Sequence, residues 1–600
     1  MEAPSRHGHG LIDTRRAAAS AALLALSIGA LAQSTTRVST SPVNTQGNYH
    51  SFRGAVSADG RYVAFQSLAS NLTLTDANSH LPDIFVKDRA TSNTVFASVS
   101  SGGVQGNSGS IVPAVSADGR YVAYASFASN LVSVDTNGVY DVFVRDQLSG
   151  TTLRASEGAG GVEADGASQA AAISDDGRFV AFESEATNLV PGDTNGLTDV
   201  FVHDVQTGAT LRVSVGAGGA QADGVSAWPS LSADGRYVAF ESLATNLVAD
   251  DTNDVSDVFV RDLLAGTTTR VSLGAAGAQG NLGSAHPSIS ADGRWVAFQS
   301  DASNLVLGDG NAATDIFVHD LQTGTTTRVS VSSAGAEANG QSLAQGTHLV
   351  SADGRFVAFD SSASNLVTGD TNAGSDCFVR DLLMGTTERV SVATSGAQAG
   401  SGSRAPWICG DGRYVAFESP ASTLVVGDNN NMWDVFLRDR GPAPGVPYCF
   451  GDGSGTACPC GNGGGPGRGC ANSLNASGAR LVATGTPSVA LDTLALLGDG
   501  MPNSAALYFQ GTAQLNGTAG AVFGDGLRCA AGVVVRLGTK QNVAGASRYP
   551  GAGDATVSVR GAVPAGSIRY YQIWYRNADP GFCTPATYNL SNGLAVTWAA

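Results

Sequence analysis

The chain has 600 residues, of which 42% are hydrophobic, 14% are charged and 77 are glycine. This length exceeds one ordinary hydrophobic core, and the glycine content with few charges is typical of a β-protein with many tight turns rather than a helical or disordered chain. The formal net charge of -17 excludes nucleic acid as an expected partner, because such an acidic surface repels a phosphate backbone.

The first 32 residues have the organisation of a secretory signal peptide. Arg15 and Arg16 precede an apolar run from Ala17 to Ala32 that ends in a small-residue cleavage pattern. The alternative is an uncleaved membrane anchor, but the run is short for a membrane span. We therefore expect residues 1–32 to be removed, and a mature chain without a membrane span to be secreted, at the cell surface or in the periplasm.

An Asp-Gly-Arg tripeptide then recurs with its Asp at positions 59, 118, 176, 234, 292, 353 and 411. Each copy continues with variants of Tyr-Val-Ala-Phe, Ala-Ser-Asn-Leu-Val, Gly-Asp-Thr-Asn-Gly, Asp-Val-Phe-Val-Arg-Asp and Thr-Thr-Arg-Val-Ser. Self-similarity at a nearly fixed period indicates a repeat architecture. We expect the arginine of the tripeptide to have a structural role, paired with a nearby carboxylate such as the recurring Asp of the third strand.

One copy predicts four strands. Pro229–Ser232, Arg236–Phe240, Asp257–Val260 and Thr267–Ser272 are β-branched or aromatic runs bounded by turn residues, and Asp234-Gly235 suits a tight hairpin. A four-stranded sheet cannot bury both faces alone, but sheets arranged around a ring bury them against each other. The sequence therefore predicts an all-β fold, with a seven-bladed β-propeller over residues 33–441.

The ends of the array predict how the ring closes. The seventh copy reaches Asp434–Asp439 and then enters a Pro/Gly linker at residues 442–447, so its fourth strand is missing. Thr35–Ser39, near the start of the mature chain, matches the missing strand. We expect this segment to complete blade 7, which removes a free sheet edge.

The Ser-Ala-Asp-Gly-Arg-Tyr-Val-Ala-Phe and Asp-Val-Phe-Val-Arg-Asp segments resemble the WD40-like (PD40) repeat of TolB-type β-propellers. The resemblance covers Thr35 to Arg440 and implies a propeller fold, although TolB itself has six blades. Family members include periplasmic scaffolds and propellers attached to serine peptidases, so the resemblance leaves the function open.

The long loops carry an Asp-x-Asn-x-x-x-Asp pattern, whose oxygen ligands resemble calcium loops of integrin-like propellers and EF-hands. Position five is apolar here, for example Val139, which departs from those loops. The alternative is that Asp and Asn cap turns through the local backbone. We treat calcium as a candidate ligand but not as a required cofactor, and the candidate ligands are Asp135, Asn137, Asp141, Asp193, Asn195, Asp199, Asp251, Asn253 and Asp257.

Function in a symmetric ring is expected where the copies differ, because residues shared by all copies are spread around the ring. The copies differ at the start of the innermost strand, near the channel mouth. Sequence drift at a tolerant position is the alternative explanation. The candidate ligand-binding residues there are Arg53, Trp228, His286, His348 and Trp407.

The motifs of common hydrolases and nucleotide-binding enzymes are absent from the sequence, so no catalytic residue is assigned. His203 and His319 stand where other copies have Arg or Lys and are expected to be surface replacements. Cys377 and Cys409 occupy buried strand positions in adjacent blades, where a disulfide and two free thiols are both open.

Residues 448–600 predict a Cys-containing, β-sandwich-like domain. Its expected strands are Ala505–Phe509, Gly532–Arg536, Ala555–Val559, Tyr570–Tyr575 and Leu594–Trp598. Clustered cysteines in an exported chain predict disulfides, whose pairing the sequence leaves open. The cysteines concerned are Cys449, Cys458, Cys460, Cys470, Cys529 and Cys583.

These features favour an exported, non-catalytic scaffold that contacts a protein or an extracellular glycan through its long loops. The alternative function is an extracellular polysaccharide hydrolase or lyase that uses acidic loop residues. A third hypothesis is a purely structural cell-surface protein.

Overall fold

The computed structural model describes residues 33–78, 80–346, 348–441, 445–451, 456–465, 468–485, 487–543, 545–577 and 587–599. The predicted signal peptide, residues 1–32, lies outside these ranges. The chain divides into two compact units, one from Ala32 to Pro442 and one from Ala443 to Ala600. Among the described residues, no helix is long and apolar enough to cross a membrane.

Within the described residues, the larger unit contains seven four-stranded antiparallel sheets, which are the blades of a β-propeller. Blades are numbered in chain order, and strands in each blade run from the innermost first strand to the outermost fourth. The strands are, for blade 1, Ser51–Val56, Tyr62–Ser67, Asp83–Asp88 and Asn93–Phe96; blade 2, Ser110–Val115, Tyr121–Ser126, Asp141–Asp146 and Thr151–Arg154; blade 3, Ser168–Ile173, Phe179–Ser184, Asp199–Asp204 and Ala209–Arg212; blade 4, Ser226–Leu231, Tyr237–Ser242, Asp257–Asp262 and Thr267–Arg270; blade 5, Ser284–Ile289, Trp295–Ser300, Asp315–Asp320 and Thr325–Arg328; blade 6, Ser342–Leu343, Phe356–Ser361, Asp376–Asp381 and Thr386–Arg389; blade 7, Arg404–Ile408, Tyr414–Ser419, Asp434–Asp439 and Ser34–Arg37.

The fourth strand of blade 7 comes from the beginning of the described chain. Ser34–Arg37 pairs antiparallel with Asp434–Asp439, and Thr36 lies opposite Leu437. Beyond the strand, the Val38 N–H donates to the Val435 carbonyl at 2.7 Å. The predicted closure by Thr35–Ser39 is confirmed, and it leaves no unpaired outer edge on the third strand of blade 7.

One hydrogen bond recurs at every junction between blades and shows that the ring is continuous. The N–H of the serine before or at the start of each first strand donates to the carbonyl immediately before the third strand of the preceding blade. At the closure, Ser51 donates to Trp433 at 2.7 Å. The equivalent pairs are Ser110 with Pro82, Ser168 with Tyr140, Ser226 with Thr198, Ser284 with Ser256, Ser342 with Thr314 and Ser403 with Ser375.

Apolar side chains from neighbouring blades interleave between these hydrogen bonds. Between blades 4 and 5, Val258 and Val260 pack with Val296 and Phe298, and none of the four is more than 4% exposed. Full burial of each such side chain contributes about 1.5–3 kcal/mol relative to exposure. Each blade therefore depends on its two neighbours for its core.

The Asp-Gly-Arg hairpins fasten one blade to the preceding one. Gly235 has φ +71°, and a Cβ there would lie 2.3 Å from the Phe179 ring of blade 3. Arg236 lies 2.7 Å from Asp262 at the end of the third strand and stacks over Tyr237. The predicted arginine–carboxylate pairing is confirmed in all blades: Arg61–Asp88, Arg120–Asp146, Arg178–Asp204, Arg236–Asp262, Arg294–Asp320, Arg355–Asp381 and Arg413–Asp439.

The C-terminal unit contains two main sheets over one core, so the β-sandwich-like prediction is confirmed. Leu481 and Leu496 of the smaller sheet pack in the same core as Tyr508 and Ile573 of the larger one. The smaller sheet contains Arg480–Thr484, Ala495–Asp499 and Ser547–Tyr549; the larger contains Val446–Tyr448, Gly593–Thr597, Ile568–Arg576, Ala505–Gly511, Val535–Gln541 and Tyr588–Leu590.

Two of the strand predictions in this unit are wrong. Ala555–Val559 overlaps the helix Val557–Gly561, whose Val557 enters the sandwich core while the Ser558 N–H and hydroxyl donate to Asp492. The predicted strand Gly532–Arg536 begins only at Val535, because Val533 and Val534 lie in an exposed turn.

Two disulfides join Cys449 to Cys529 and Cys458 to Cys470. The prediction of disulfides is thus confirmed for four of the six cysteines. Cys583 and the side chain of Cys460 lie outside the described part of the chain. Disulfides are typical of a compartment outside the reducing cytosol.

The interlocked hairpins predict an unequal response to two glycine substitutions. Gly208 has φ +69°, but a Cβ at this position would meet no atom within 4 Å, so Gly208→Ala should cost only about 1–2 kcal/mol of conformational free energy. Gly235→Ala adds the clash with Phe179 and should cost roughly 2–4 kcal/mol. Denaturant titration of the propeller measures both losses. Equal losses would show that the hairpin does not depend on this close approach.

Candidate functional site: the long-loop face and the channel

The strand register shows which loops share one end of the ring. In blade 2, Ser126 lies opposite Asp141 and Tyr121 lies opposite Asp146. The loop at residues 127–140 and the connection at residues 155–167 therefore leave from the same end of the sheet. We call this end of the propeller the long-loop face, and the end that carries the Asp-Gly-Arg turns the hairpin face.

The Asp-x-Asn-x-x-x-Asp loops on the long-loop face are braced by their own side chains. In blade 2, Asn137 accepts the Val139 N–H at 3.1 Å and donates to the Asp141 carboxylate at 2.8 Å. Asp141 also accepts the Ser156 hydroxyl at 2.5 Å. Asn195 and Asp199 of blade 3 have the same partners in their loop. These are the turn-capping contacts that formed the alternative to a calcium site.

A guanidinium from the fourth strand lies between the carboxylates of these loops. In blade 4, Arg270 Nη1 is 2.9 Å from Asp251 and 3.2 Å from Asp257. In blade 3, Arg212 is 3.4 Å from both Asp193 and Asp199. The equivalent ion pairs are Arg154 with Asp141 and Glu163, Arg328 with Asp309, Asp315 and Glu337, Arg389 with Asp370 and Asp376, and Arg37 with Asp428 and Asp434.

Sequence reasoning missed this arginine, although its recurrence in Thr-Thr-Arg-Val-Ser was a usable signal. In blades 2, 3 and 4 an arginine is ion-paired with one or two of the candidate calcium-binding carboxylates, so a metal ion there would have to displace an ion pair. In blade 2, carboxylate oxygens of Asp135, Asp141 and Glu163 lie within 4.8 Å of one another. Burial raises the pKa of Asp135 to about 6 in spite of Arg154, which fits a crowded acidic loop with one cation.

Blade 1 is the exception to this arrangement, because Phe96 stands in the register position that arginine has in the other blades. Asp83 accepts hydrogen bonds from Ser98 at 2.8 Å and Gln105 at 2.7 Å. Burial, with Asp76 nearby, raises the pKa of Asp83 to about 6. Among the described residues, the donors to the carboxylates of this loop are therefore all neutral.

The innermost strands carry the positions at which the copies differ. In blades 1–5 and 7 this strand is interrupted by a bulge residue with positive φ, including Arg53 at +54°, Trp228 at +52° and His286 at +52°. In blades 1, 2, 4, 5 and 7 the freed N–H donates to a side chain of the preceding blade. Glu183 accepts from Trp228 at 2.9 Å, and Glu241 accepts from His286 at 2.7 Å.

The structure brings four of the five predicted channel residues together as two pairs. Trp228 and His286 have ring centroids 4.6 Å apart, and His348 packs edge-on against Trp407 at 5.5 Å. Arg53 reaches from blade 1 to blade 6 and donates to the Gln345 carbonyl at 2.6 Å. Burial lowers the pKa of His348 to about 4, so this imidazole is neutral at pH 7.

Four carboxyl groups on the second strands surround these residues and were missed by sequence reasoning. Burial raises the pKa of Glu183, Glu241 and Glu418, and it raises the pKa of Asp360 to about 7. Only Glu418 has a close ion-pair partner among the described residues, Arg404 at 2.9 Å. Their equivalence to Gln66 and Gln299 in other blades indicates that capping the bulge N–H is their shared structural role.

A strip of aromatic side chains at the junction of blades 7 and 1 was also missed. We call it the closure strip. The centroids of neighbouring rings in it are 4.9–6.3 Å apart, and a guanidinium lies 4.2 Å over the last ring. The signal in the sequence was again a difference between copies, since the other repeats have no aromatic residue at the positions equivalent to Tyr49, His50 and Phe52. The strip consists, in contact order, of His80, Tyr49, His50, Phe52, Trp433 and Arg404.

The prediction of His203 and His319 as surface replacements is wrong. They are 3% and 4% exposed, and each ring Nδ1 lies 2.9 Å from a threonine hydroxyl of the fourth strand. Their burial lowers the pKa of both imidazoles. Cys377 and Cys409 are buried free thiols, so the second of the two open interpretations holds.

Comparison with known proteins gives similarity to solved propellers at low identity. No protein-family model matches the sequence, and no curated protein matches it. TolB from Acinetobacter baumannii is 14% identical over 56% of this chain and 62% of its own, with a TM-score of 0.31. A putative TolB from Agrobacterium tumefaciens is 15% identical over 50% and 89% (TM-score 0.30), and the tricorn protease 12% identical over 63% and 36% (TM-score 0.26).

The similarity spans less than two thirds of the Acinetobacter TolB chain. At these scores it carries no argument about function. The propeller architecture described above rests on the sheets themselves, and the function has to be argued from the site.

The guanidinium in the loops of blades 2–7 predicts that calcium stabilises the protein only where this arginine has been removed. Arg270→Met leaves Asp251 and Asp257 without a counter-charge, so the variant should melt below the wild type in EGTA and recover part of the loss in millimolar Ca²⁺. The control is Arg236→Met, which removes an ion pair on the hairpin face. If calcium raises the melting temperature of both variants equally, the guanidinium does not occupy a cation site.

Proposed function

We propose that this protein is exported and acts as a non-catalytic scaffold or binding protein, whose propeller contacts a partner through the long-loop face. Export is supported by the signal-like N-terminal sequence and by the disulfides of the C-terminal unit. An extracellular, cell-surface or periplasmic location follows from the same two features.

The observation that carries the proposal is the exposure of large apolar side chains on the long-loop face. Leu74, Leu307 and Val426 occupy equivalent loop positions in blades 1, 5 and 7, and they are 104%, 98% and 104% exposed. Each follows a buried leucine by two residues, so the loop is anchored while its tip projects. Single exposed apolar residues are common, but equivalent tips around one rigid rim form a surface suited to burial against a partner.

The charges of the repeats support binding rather than catalysis. Loop carboxylates in blades 2–7 are engaged by arginine, asparagine and serine, and these contacts recur with the symmetry of the ring. A catalytic centre instead needs unlike groups with unequal roles. The channel residues Arg53, Trp228, His286, His348 and Trp407 remain our proposed small-ligand contacts, because they break that symmetry.

A second candidate, a polysaccharide hydrolase or lyase, is favoured by one observation. Burial raises the pKa of both Asp360 and Glu418, the charge of Glu418 adds to the rise at Asp360, and carboxyl groups with raised pKa values are typical of catalytic acids. Release of soluble oligosaccharides from a neutral or acidic polysaccharide, abolished by Asp360→Asn, would establish this function in place of the scaffold.

Co-sedimentation with the insoluble envelope and extracellular fraction of the producing cells tests the proposed function. Leu74→Asp, Leu307→Asp and Val426→Asp combined should abolish sedimentation, because each puts a charge where apolar surface would be buried. The control variant carries Leu148→Asp and Leu264→Asp, which are each 78% exposed on the hairpin face, and should sediment like the wild type. Equal sedimentation of the two variants would contradict binding through the long-loop face.

A further inference from the structure

The closure strip has the chemistry of a carbohydrate platform. Tyr49 is 38% exposed, His80 is exposed, and His50, Phe52 and Trp433 are half-buried. The strip therefore presents ring surface to solvent while each ring is fixed by its neighbour. Sugar rings have an apolar C–H face that packs on aromatic rings, and hydroxyl groups at the edge that need planar hydrogen-bonding partners.

Hydrogen-bonding groups lie alongside these rings and are held in place. The backbone N–H of Trp433 donates to His50 Nδ1 at 3.0 Å. This bond places the imidazole proton on Nε2 and fixes the ring orientation. Arg404 is held over the Trp433 ring by Glu418, at 2.9 Å from its Nε. The strip thus combines ring faces with an imidazole donor and a guanidinium that the buried Glu418 holds in place.

The charge of the strip selects among sugar polymers. Arg404 is paired with Glu418, and Arg37 at the same junction is paired with Asp428 and Asp434. Both guanidinium groups are thus neutralised and attract a polyanion only weakly, and the whole chain has a net charge of -17. A neutral polymer meets no electrostatic penalty at this surface.

The position of the strip is fixed by ring closure. Tyr49, His50 and Phe52 belong to the segment that enters blade 1, and Trp433 directly precedes the third strand of blade 7. The Ser51–Trp433 hydrogen bond at 2.7 Å holds the two segments together. The strip thus exists once in the described ring, as a specific ligand site requires, unlike the charged loops that recur in other blades.

We propose that the closure strip binds an uncharged polysaccharide chain, which lies along the strip from Tyr49 to Trp433. This inference rests on the proposed function, since it names the partner class for one sector of the long-loop face. The strip's ring-to-ring steps of 4.9–6.3 Å suit an extended chain rather than a single small sugar.

Native affinity electrophoresis of the full mature chain tests the proposal, with gels that contain xyloglucan, mixed-linkage β-glucan, galactomannan, or the polyanions alginate and polygalacturonate. At least one neutral polymer should retard the wild type. The double variant Tyr49→Ala with Trp433→Ala should have a dissociation constant for that polymer about tenfold higher or more. The matched control is Phe127→Ala with Tyr140→Ala, an aromatic pair of blade 2 on the same face, in which Phe127 is exposed and Tyr140 half-buried, with centroids 5.4 Å apart. This control should bind like the wild type.

Thermal melts establish that each variant is folded, and the exposed single change Tyr49→Ala replaces the double variant if Trp433→Ala does not fold. No retardation by any neutral polymer, retardation by polyanions alone, or equal loss in the blade 2 control would overturn the proposal. Sedimentation with protease-treated and periodate-treated envelope fractions separates it from the broader function. If sedimentation is lost after protease treatment alone, the long-loop face binds a protein, and the proposed binding of a polysaccharide is wrong.

Discussion

Pairing of Ser34–Arg37 with Asp434–Asp439 is the interaction on which the other features of the propeller depend. A four-stranded sheet buries its faces only against two neighbours, so an array with free ends would leave the first and last blades half exposed. The closing strand supplies the missing outer edge of blade 7. It also brings Arg37 to the Asp428 and Asp434 carboxylates, so that the last loop is braced like the others.

In the closed ring, side chains that recur in the blades differ in role from side chains that occur at one place only. The repeated groups, arginines on both faces with their aspartates, form ion pairs within one blade and hold its loops. The unique groups lie where the copies have diverged, around the axis at Trp228 and Trp407 and at the junction that contains Tyr49 and Trp433. A rigid ring with internally satisfied charges leaves these positions free to vary, which is where binding evolves on such scaffolds.

The propeller fold could be predicted from the sequence because the same turn residues occur in every copy of the repeat. Gly235 and its equivalents mark every hairpin, and the orphan segment at Thr35 identified the closure. The C-terminal unit lacks such internal copies, and there the valines of Ala555–Val559 suggested a strand although tertiary packing made a helix. Propensity alone cannot decide such a short segment.

The site was harder to predict than the fold because its contacts cross between strands and blades. The calcium interpretation considered only residues within one loop, whereas Arg270 arrives from another strand to fill the gap between Asp251 and Asp257. His203 stands where other copies have Arg or Lys, which suggests a surface position, but its Thr210 partner permits burial. The closure strip joins residues almost four hundred positions apart, and only the closed ring shows that they touch.

Hydrogen exchange of the amides from Ser34 to Val38, followed by mass spectrometry on the intact protein, tests ring closure most directly. The account predicts that these amides are as protected as those of Asp434–Asp439 and exchange in the same cooperative event. Exchange of the N-terminal segment at the rate of a free tail, while Asp434–Asp439 stays protected, would contradict it.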